Sequence, residues 1–271
     1  MCQPKPGPRC SAAVRKARAA NRTATLRTLT KIEVLSAEHP FGPDGRDLPD
    51  PEWDTRMAGL QQKRFRLASE TARLQDEWAR TATGRAEADA ASTPGTVEHA
   101  AALAEKLHAG QVDKLGLPYH FGHVQDVADR VRAVGGTDDE IAAAYLHDTV
   151  EDVPDVDEQY LLDQGVRPGA VVIVMALTHD DGEPYDQAVA RVKAAGRSAA
   201  RVKALGDLKS NTDPDRTAAL VRVRVAMARR KATVAGKNPD QAEKDVIRGN
   251  AKRMKRYLDA ISELTPVALG D

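Results

Sequence analysis

Apolar residues recur at helical spacing along most of this chain, and no segment shows the alternation typical of a strand. The longest such pattern is a stripe with alternating steps of four and three residues, which Arg64 interrupts and Thr71 weakens. Its positions are Trp53, Met57, Leu60, Arg64, Leu67, Thr71, Leu74 and Trp78. Heptad spacing of this kind buries one face of a helix against another helix. The partner is either a helix of the same chain or a second subunit, so a homodimer through the 53–78 helix stays open.

Capping and breaking residues mark further helices after residue 95. Thr137 and Glu140 have the spacing of a capping box, which opens a helix with an apolar face that continues to Val150. Pro168 suits the first turn of the apolar run that follows it. Predicted helices cover residues 97–109, 122–134, 137–150, 168–177, 183–195, 198–211, 217–235 and 239–264. We therefore predict an all-α fold.

Charge and proline content divide the chain into three parts. Residues 1–51 form a basic, proline-containing leader and linker, in which the first 32 residues hold eight Lys/Arg and no Asp/Glu. We expect this leader to be poorly ordered, although residues 12–32 could be helical. Residues 52–94 are predicted to be the amphipathic helix and a linker, and residues 95–271 are predicted to be the main helical domain.

The amino-acid composition mainly excludes classes of protein and of site. The chain has 271 residues, 40 basic and 40 acidic residues, and 4% aromatic residues, so its core must be built from Ala, Val and Leu. Its longest apolar run is the eight residues 170–177, well short of the ~18 that span a bilayer. Cys2 and Cys10 form neither a disulfide framework nor a zinc site. We expect a cytoplasmic protein without a membrane partner.

Residues suited to holding a metal occur on several predicted helices. His147 and Asp148 are adjacent near the end of the 137–150 helix, His123 belongs to the preceding helix, and Asp207 follows 59 residues after Asp148. Two imidazoles and two carboxylates form a mixed N/O site that suits Mn²⁺, Fe²⁺, Mg²⁺ or Zn²⁺. Four protein ligands leave positions on an octahedral ion for water and a substrate oxygen.

Two more carboxylates follow the His-Asp pair, which alone would be weak evidence. Glu151 and Asp152 complete the sequence H-D-T-V-E-D. Glu151 is four residues after His147, so on a continuous helix it projects from the same face. A carboxylate in that position can orient and deprotonate a water molecule.

Motifs in the stretch from residue 97 to about residue 220 occur in the order found in HD-domain hydrolases of the RelA/SpoT type. The matching segments are A-x-x-L-H-A-G-Q-V-D-K-L-G-L-P-Y (104–119), H-V-Q-D-V-A (123–128), A-A-Y-L-H-D-T-V-E-D (143–152), V-M-A-L-T (174–178), G-E-P-Y (182–185) and V-K-A-L-G-D-L-K-S-N-T-D-P-D-R (202–216). The chain resembles this family, and within it the small stand-alone (p)ppGpp hydrolases.

The resemblance implies a helical HD-domain bundle over residues 95–271 and a divalent metal, usually Mn²⁺. Its implied ligands are His123, His147, Asp148 and Asp207. Glu151 and Asp152 match the pair that activates and positions the hydrolytic water. Lys114 and Lys203 match basic residues near the nucleotide and its phosphates, and Asn211 matches a ribose or nucleotide contact. The implied reaction is removal of the 3′-pyrophosphate from guanosine tetra- or pentaphosphate by a metal-activated water.

The chain also departs from the family pattern. Three residues instead of two separate Tyr119 from His123, so His120 is an alternative first metal histidine. His123 is favoured because it keeps the register of the helix that follows. Gly206 stands where alanine is usual. Asp113 stands where longer alarmone enzymes often have an arginine that helps to hold guanine, which leaves the nucleotide open but not the hydrolysis.

Two other functions stay open at this point. The same site could act on another nucleotide or phosphomonoester, such as a deoxynucleotide or NADPH. The alternative of another class is a non-catalytic nucleotide- or nucleic-acid-binding module, suggested by the basic leader and by residues 216–256, which hold 13 Lys/Arg and three Asp/Glu. We do not expect a nucleic-acid partner, because every expected ligand position holds a competent ligand and no aromatic residue interleaves the basic leader.

Overall fold

The computed structural model of the protein describes residues 11–44, 46–180 and 182–270. Cys2 and Cys10 lie outside the described residues. In these ranges every regular element is helical, apart from two isolated β-bridges that join Phe41 to Asp47 and Val112 to Pro118. The all-α prediction is confirmed. None of the described helices is both long enough and apolar enough to cross a bilayer.

The helices follow one another with short connections. In chain order they are α1 Ser11–Ala37, α2 Pro51–Ala79, α3 Ala82–Ala91, α4 Val97–Leu107, a first π-helical segment His120–Val124 that runs into α5 Gln125–Ala133, α6 Asp138–Leu146, α7 Thr149–Asp152, α8 Glu158–Asp163, α9 Pro168–Leu177, α10 Tyr185–Ala194, α11 Arg197–Ala200, a second π-helical segment Arg201–Leu208, α12 Lys209–Asn211, α13 Pro214–Val234 and α14 Pro239–Leu269.

Helix α1 corrects the expectation of a poorly ordered leader for residues 11–37. It packs against α2 and α13, and its Val14 and Leu35 are buried. The backbone carbonyl of Leu35 accepts a hydrogen bond of 2.8 Å from Trp53 Nε1. Burial of these apolar side chains against two other helices stabilises α1 despite its basic composition, and the helical alternative for residues 12–32 is the one observed.

The apolar stripe of α2 finds its partner in the same chain. Leu74 and Trp78 of the stripe are buried, and Thr71 Oγ1 accepts a hydrogen bond of 2.7 Å from Asn21 Nδ2 of α1. Among the two partners that the heptad spacing allowed, the intramolecular one is therefore present. A homodimer through residues 53–78 stays a prediction.

The main core lies between α4, α5, α6, α9, α14 and the second π-helical segment, and small aliphatic side chains fill it. Gly206 allows the second π-helical segment to approach α5 closely. A Cβ atom there would lie 2.9 Å from Val131 Cγ2 and 3.0 Å from Val127 Cγ1, well inside normal contact. This close approach brings Asp207 next to the helix that begins beside His123.

A buried ion pair fixes the start of α6 against the second π-helical segment. The capping box of Thr137 and Glu140 is confirmed, with both reciprocal hydrogen bonds present. The same Glu140 carboxylate accepts a hydrogen bond of 2.8 Å from Arg201 Nη1 and one of 2.8 Å from Ser198 Oγ. Glu140 therefore ties together the two segments that deliver metal-ligand candidates to the site.

The predicted helix 137–150 is wrong in one respect, because it breaks at His147 and Asp148. Two backbone carbonyls near the break accept hydrogen bonds from side chains. His147 Nδ1 donates to Ala144 O at 2.9 Å, and Thr149 Oγ1 donates to Leu146 O at 2.7 Å. Helix α6 therefore ends at Leu146 and α7 begins at Thr149. The argument that Glu151 shares one continuous helical face with His147 does not hold.

Candidate metal centre

Three buried side chains from separate elements converge on one point. His123 comes from the first π-helical segment, His147 directly follows α6, and Asp207 comes from the second π-helical segment. One donor atom of each lies within 4.8 Å of the donor atoms of the other two. All three are less than 7% exposed. This group could hold a metal ion.

Asp148, the fourth predicted ligand, lies against both imidazoles. Its Oδ2 is 2.9 Å from His147 Nε2 and 3.6 Å from His123 Nε2. Asp148 is not part of the mutually close group of three, but it lies near the Nε2 atoms of both histidines in that group. The side chains of His147 and Asp148 meet although adjacent residues of a regular helix point about 100° apart.

The distances in the cluster match those around a single cation. Ligand bonds of ~2.0–2.2 Å place two ligand atoms about 3 Å apart at a right angle and about 4 Å apart across the ion. Asp207 Oδ1 lies 3.6 Å from His123 Nε2 and 4.0 Å from His147 Nε2, and the Asp148 contacts also fall in this range. The donor set therefore fits a divalent cation in both chemistry and spacing.

The protein fixes the orientation of both imidazole rings through their other nitrogens. The Nδ1 of His147 donates to the Ala144 carbonyl, and that of His123 lies 3.1 Å from Ser210 Oγ. In each ring Nε2 faces the cluster. Nε2 of His147 is buried and lies 2.9 Å from Asp148 Oδ2, but among the described residues it has no partner that meets hydrogen-bond geometry. A nitrogen in this position is suited to be a metal ligand.

The two carboxylates are oriented from outside the cluster as well. Asn211 Nδ2 donates to Asp207 Oδ1 at 2.5 Å, and Lys203 Nζ lies 2.8 Å from Asp207 Oδ2. The hydroxyl of Tyr119 donates to Asp148 Oδ2. Partners of this kind tune the affinity of a metal site although they do not touch the ion.

Electrostatics keep the cluster in a strongly polarised state. Burial favours a lower pKa for His147, but the charges of Asp148 and Asp207 outweigh this effect and raise its pKa to about 9. Burial favours a higher pKa for Asp148, but His147 and His123 hold that pKa well below its usual value. Burial also favours a higher pKa for Asp207, but the charges of Lys203 and His147 outweigh it and lower that pKa. Both carboxylates are therefore ionised at neutral pH, ready to bind a cation.

Glu151 and Asp152 lie on α7 at the exposed rim of the site. Partial burial of the carboxyl groups and the nearby charge of Asp148 raise the pKa of both residues. Glu151 Oε1 also accepts a hydrogen bond of 2.6 Å from the backbone N–H of His179. The charge of Asp148 therefore acts on both acids, although the helix that carries them is separate from α6.

The other predicted residues divide between the cluster and the surface. Lys203 and Asn211 contact the candidate ligand Asp207, whereas Lys114 is exposed between α4 and the first π-helical segment. No contact among the described residues joins Lys114 to the cluster. His120 stacks on Tyr145 at a ring distance of 6.2 Å, so the structure brings His123 into the cluster and not His120.

Asp113 has a structural role in its own loop. Its Oδ1 accepts from the backbone N–H groups of Leu115 and Leu117 at 2.8 and 3.0 Å. Its Oδ2 lies 2.7 Å from Nη1 of Arg216, and only 1% of the side chain is exposed. Both oxygens of the Asp113 carboxylate therefore already have partners within the protein.

Three residues of the site escaped the sequence analysis as individual candidates. Tyr119 and Ser210 hold the candidate ligands Asp148 and His123, and Tyr185 lies close enough for the charges of Lys203 and Asp207 to affect its pKa. Tyr119 precedes His123 by four residues and Ser210 follows Asp207 by three, so helical spacing was a usable signal for both. Helical spacing gave no signal for Tyr185, because it lies on α10, away from the elements that carry the candidate ligands.

A second feature of Tyr185 concerns its hydroxyl. This group is buried and has no hydrogen-bond partner, and the guanidinium of Arg256 lies 4.4 Å from the ring centroid. Burial raises the pKa of Tyr185 to about 12, so the hydroxyl is a hydrogen-bond donor at neutral pH. A buried hydroxyl without a partner suits a hydrogen-bond acceptor such as an anion.

No family model matches this chain, and no curated protein matches it significantly.

Proposed function

We propose that this protein is a metal-dependent phosphohydrolase of the HD-domain type. The observation that carries the proposal is the buried group of His123, His147 and Asp207, with Asp148 in contact and a lysine beside it. A structural metal site would be closed by protein ligands and would need neither exposed acids at its rim nor a lysine beside it. This arrangement instead combines a candidate cation site with groups that suit an anionic substrate.

The residues that would hold the cation are His123, His147, Asp148 and Asp207. A divalent cation, with Mn²⁺ as the leading candidate, supplies Lewis-acid stabilisation of phosphoryl oxygens and lowers the pKa of water near it. The remaining work falls to the protein side chains.

Glu151 is the proposed general base. Its pKa is raised, which brings it closer to the working range of a group that accepts a proton from water near neutral pH. Asp152 positions the same water. Both acids lie at the exposed rim of the site, where solvent and substrate can enter.

Lys203 and Tyr185 are the proposed phosphate-binding groups. Lys203 offers a positive charge beside the cluster, and Tyr185 offers an unused hydroxyl. Hydrogen bonds to an ionised phosphate are roughly twice as strong as neutral ones. These two groups neutralise and orient the phosphoryl oxygens that would otherwise repel an attacking nucleophile.

Guanosine tetra- or pentaphosphate is the proposed substrate. Water adds to the phosphorus that is esterified to the 3′-oxygen, and the bond between that phosphorus and the 3′-oxygen breaks. Glu151 takes one proton from the water, and the departing 3′-oxygen takes up one proton from the solvent and leaves as a hydroxyl. The products are inorganic pyrophosphate and GDP or GTP.

A different nucleotide or phosphomonoester is the second candidate substrate, and the structure of the 113–117 loop favours it. Asp113 is engaged by two backbone N–H groups and by Arg216, so it does not offer the guanine contact that the family's arginine would provide. The same hydrolytic groups would then act on another phosphate ester, such as a deoxynucleotide or NADPH.

The test uses the purified full-length chain, loaded with Mn²⁺ and checked by metal analysis. We expect it to release pyrophosphate from guanosine tetraphosphate, and we expect Asp207→Asn to abolish this release. Glu158→Gln, a change at an exposed acid outside the cluster, should leave it unchanged. A panel of deoxynucleotides and NADPH assigns the substrate.

Folded, metal-loaded protein that hydrolyses none of these compounds would contradict the proposal. Nucleotide binding with a steep salt dependence, without turnover and unaffected by Asp207→Asn, would favour the non-catalytic binding module instead.

A further inference from the structure

A second site lies between α1, α2, α13 and the loop before the first π-helical segment. There the helices surround a cavity of about 1020 Å³, at the upper end of the ~300–1,000 Å³ typical of small-molecule sites. Its lining contains none of the candidate metal ligands among the described residues. The cavity is therefore separate from the proposed catalytic centre.

Aliphatic side chains form the interior of this cavity. They come from α1, α2 and the loop, and comprise Leu26, Val34, Leu35, Leu60, Leu115 and Leu117. Phe121 is the one aromatic ring among the described lining residues. An aliphatic wall with a single ring suits an alkyl chain better than a nucleobase, since a base gains most from stacking and from polar edges that form hydrogen bonds.

The cavity lining also carries an excess of positive charge, with seven basic and four acidic side chains. Four of the basic side chains are neutralised by ion pairs. The pairs are Arg22–Asp129 at 2.5 Å, Arg130–Asp126 at 2.7 Å, Arg216–Asp113 at 2.7 Å and Arg222–Glu38 at 2.7 Å.

The other three basic residues are Arg27, Lys31 and Arg56, and all three are exposed. No described residue forms an ion pair or hydrogen bond with any of them. Arg27 and Lys31 are four residues apart on α1, where like charges on a helix repel each other. An anion bound between them would relieve this repulsion.

We propose that the cavity binds a single-chain aliphatic anion, a long alkyl chain that ends in a carboxylate or a phosphate. The chain lies against the aliphatic interior, and the anionic head lies among the three unpaired cations. Both parts of the ligand follow from the lining: the apolar wall selects the chain, and the charge selects the head. This proposal does not depend on the proposed hydrolase activity.

Calorimetric titration of the protein with monomeric decanoate and dodecanoate tests the proposal. Burial of each added methylene strengthens binding by up to about fourfold, so dodecanoate should bind more tightly than decanoate. Dodecyl phosphate should bind as dodecanoate does. Dodecanol, acetate and inorganic phosphate should each bind at least tenfold more weakly, because each lacks one of the two parts.

Charge-reversal variants on α1 locate the anionic head. Lys31→Glu and Arg27→Glu should each weaken dodecanoate binding at least tenfold. Lys16→Glu is the matched control on the same helix, because Lys16 is exposed and is not part of the cavity lining, and it should change the affinity less than twofold. The helical signal and melting temperature of each variant verify that it folds.

The wild-type series keeps the proposal testable if a variant fails to fold. Equal affinity for dodecanol and dodecanoate, or an affinity independent of chain length, would overturn it. So would binding of anionic phosphatidylglycerol vesicles without binding of monomeric dodecanoate, since that result would assign the cations to a membrane surface.

Discussion

Lys203 and Asp207 form an ion pair one turn apart in the second π-helical segment, with Nζ 2.8 Å from Oδ2. The other oxygen of Asp207, Oδ1, faces His123 and His147. The pair therefore uses one oxygen for the lysine, while the other, which also accepts a hydrogen bond from Asn211 Nδ2, faces the candidate metal site. Although burial favours a lower pKa for Lys203, the charge of Asp207 outweighs this effect and raises that pKa, so the ammonium keeps its charge throughout the neutral range.

Replacement of Lys203 by methionine should separate phosphate binding from metal binding. Loss of a hydrogen bond to a charged group costs ~1.5–3 kcal/mol, so kcat/KM for a phosphorylated substrate should fall about 10- to 100-fold. Metal affinity should stay the same or increase, because a positive charge beside Asp207 is removed. Lys209→Met, at an exposed lysine of α12, is the control. A parallel loss of metal would show that Lys203 only orients Asp207.

Metal binding should raise the thermal stability of the wild-type protein. At a free metal concentration of 100 times Kd, the folded state gains ~2.7 kcal/mol. His147→Ala and Asp207→Asn should lose this gain and the bound metal, as measured by thermal unfolding and elemental analysis. His120→Gln should keep both, because His120 stacks on Tyr145 away from the cluster. The metal site would be misassigned if His120→Gln lost its metal and His147→Ala retained it.

The pH dependence of the metal-free protein follows from His147. Its pKa is raised from the usual 6.5 to about 9 in the folded state. A raised pKa stabilises the fold fully below pH 6.5, and this stabilisation is lost as the pH rises to 9, with a total on the order of 3 kcal/mol. Urea unfolding in the presence of a chelator measures the loss. His147→Ala should show a flatter profile in this window.

Metal affinity should depend on pH in the opposite sense. A cation must displace the proton of His147, so its affinity should rise up to about tenfold per pH unit until the pH reaches about 9. Calorimetry at several pH values, with buffers of different protonation enthalpy, measures both the affinity and the released proton. An affinity that is constant from pH 6.5 to 9 would disagree with the charge state assigned to His147.

Tyr119→Phe removes the donor to Asp148 and keeps the ring. Groups that orient a metal ligand without touching the metal typically contribute 10- to 100-fold to affinity, so a loss of about tenfold in metal affinity is expected. Tyr160→Phe on α8 is a matched control outside the cluster. Unchanged metal affinity in Tyr119→Phe would mean that Asp148 is held in place without this hydroxyl.

Glu140→Ala should be among the most destabilising single changes in the main domain. It leaves the guanidinium of Arg201 buried without its partner and removes half of the capping box. Loss of one partner of a buried pair costs ~3–5 kcal/mol. Denaturant unfolding should detect this loss, whereas Asp138→Ala, at an exposed residue of the same helical turn, should cost less than about 1 kcal/mol. Comparable effects of the two changes would argue against a special role for Glu140.

The local parts of the structure were open to prediction because they depend on residues close in sequence. The Thr137–Glu140 capping box, the Pro168 start of α9 and the apolar face of α2 each require contacts within one or two helical turns. The pattern of leader residues was less informative. The order of α1 comes from apolar contacts with α2 and α13, which are distant in sequence.

The sequence by itself determined the helical class, most helix boundaries, and a short set of residues with suitable donor atoms for a metal. It could not choose between His120 and His123 by geometry or show the break after Leu146. It also could not reveal that Arg216 forms an ion pair with Asp113. Tertiary structure decided these points, because each depends on which face of one element packs against another. Helical periodicity fixes the direction of a side chain relative to its own helix, and packing between distant segments fixes which side chains meet.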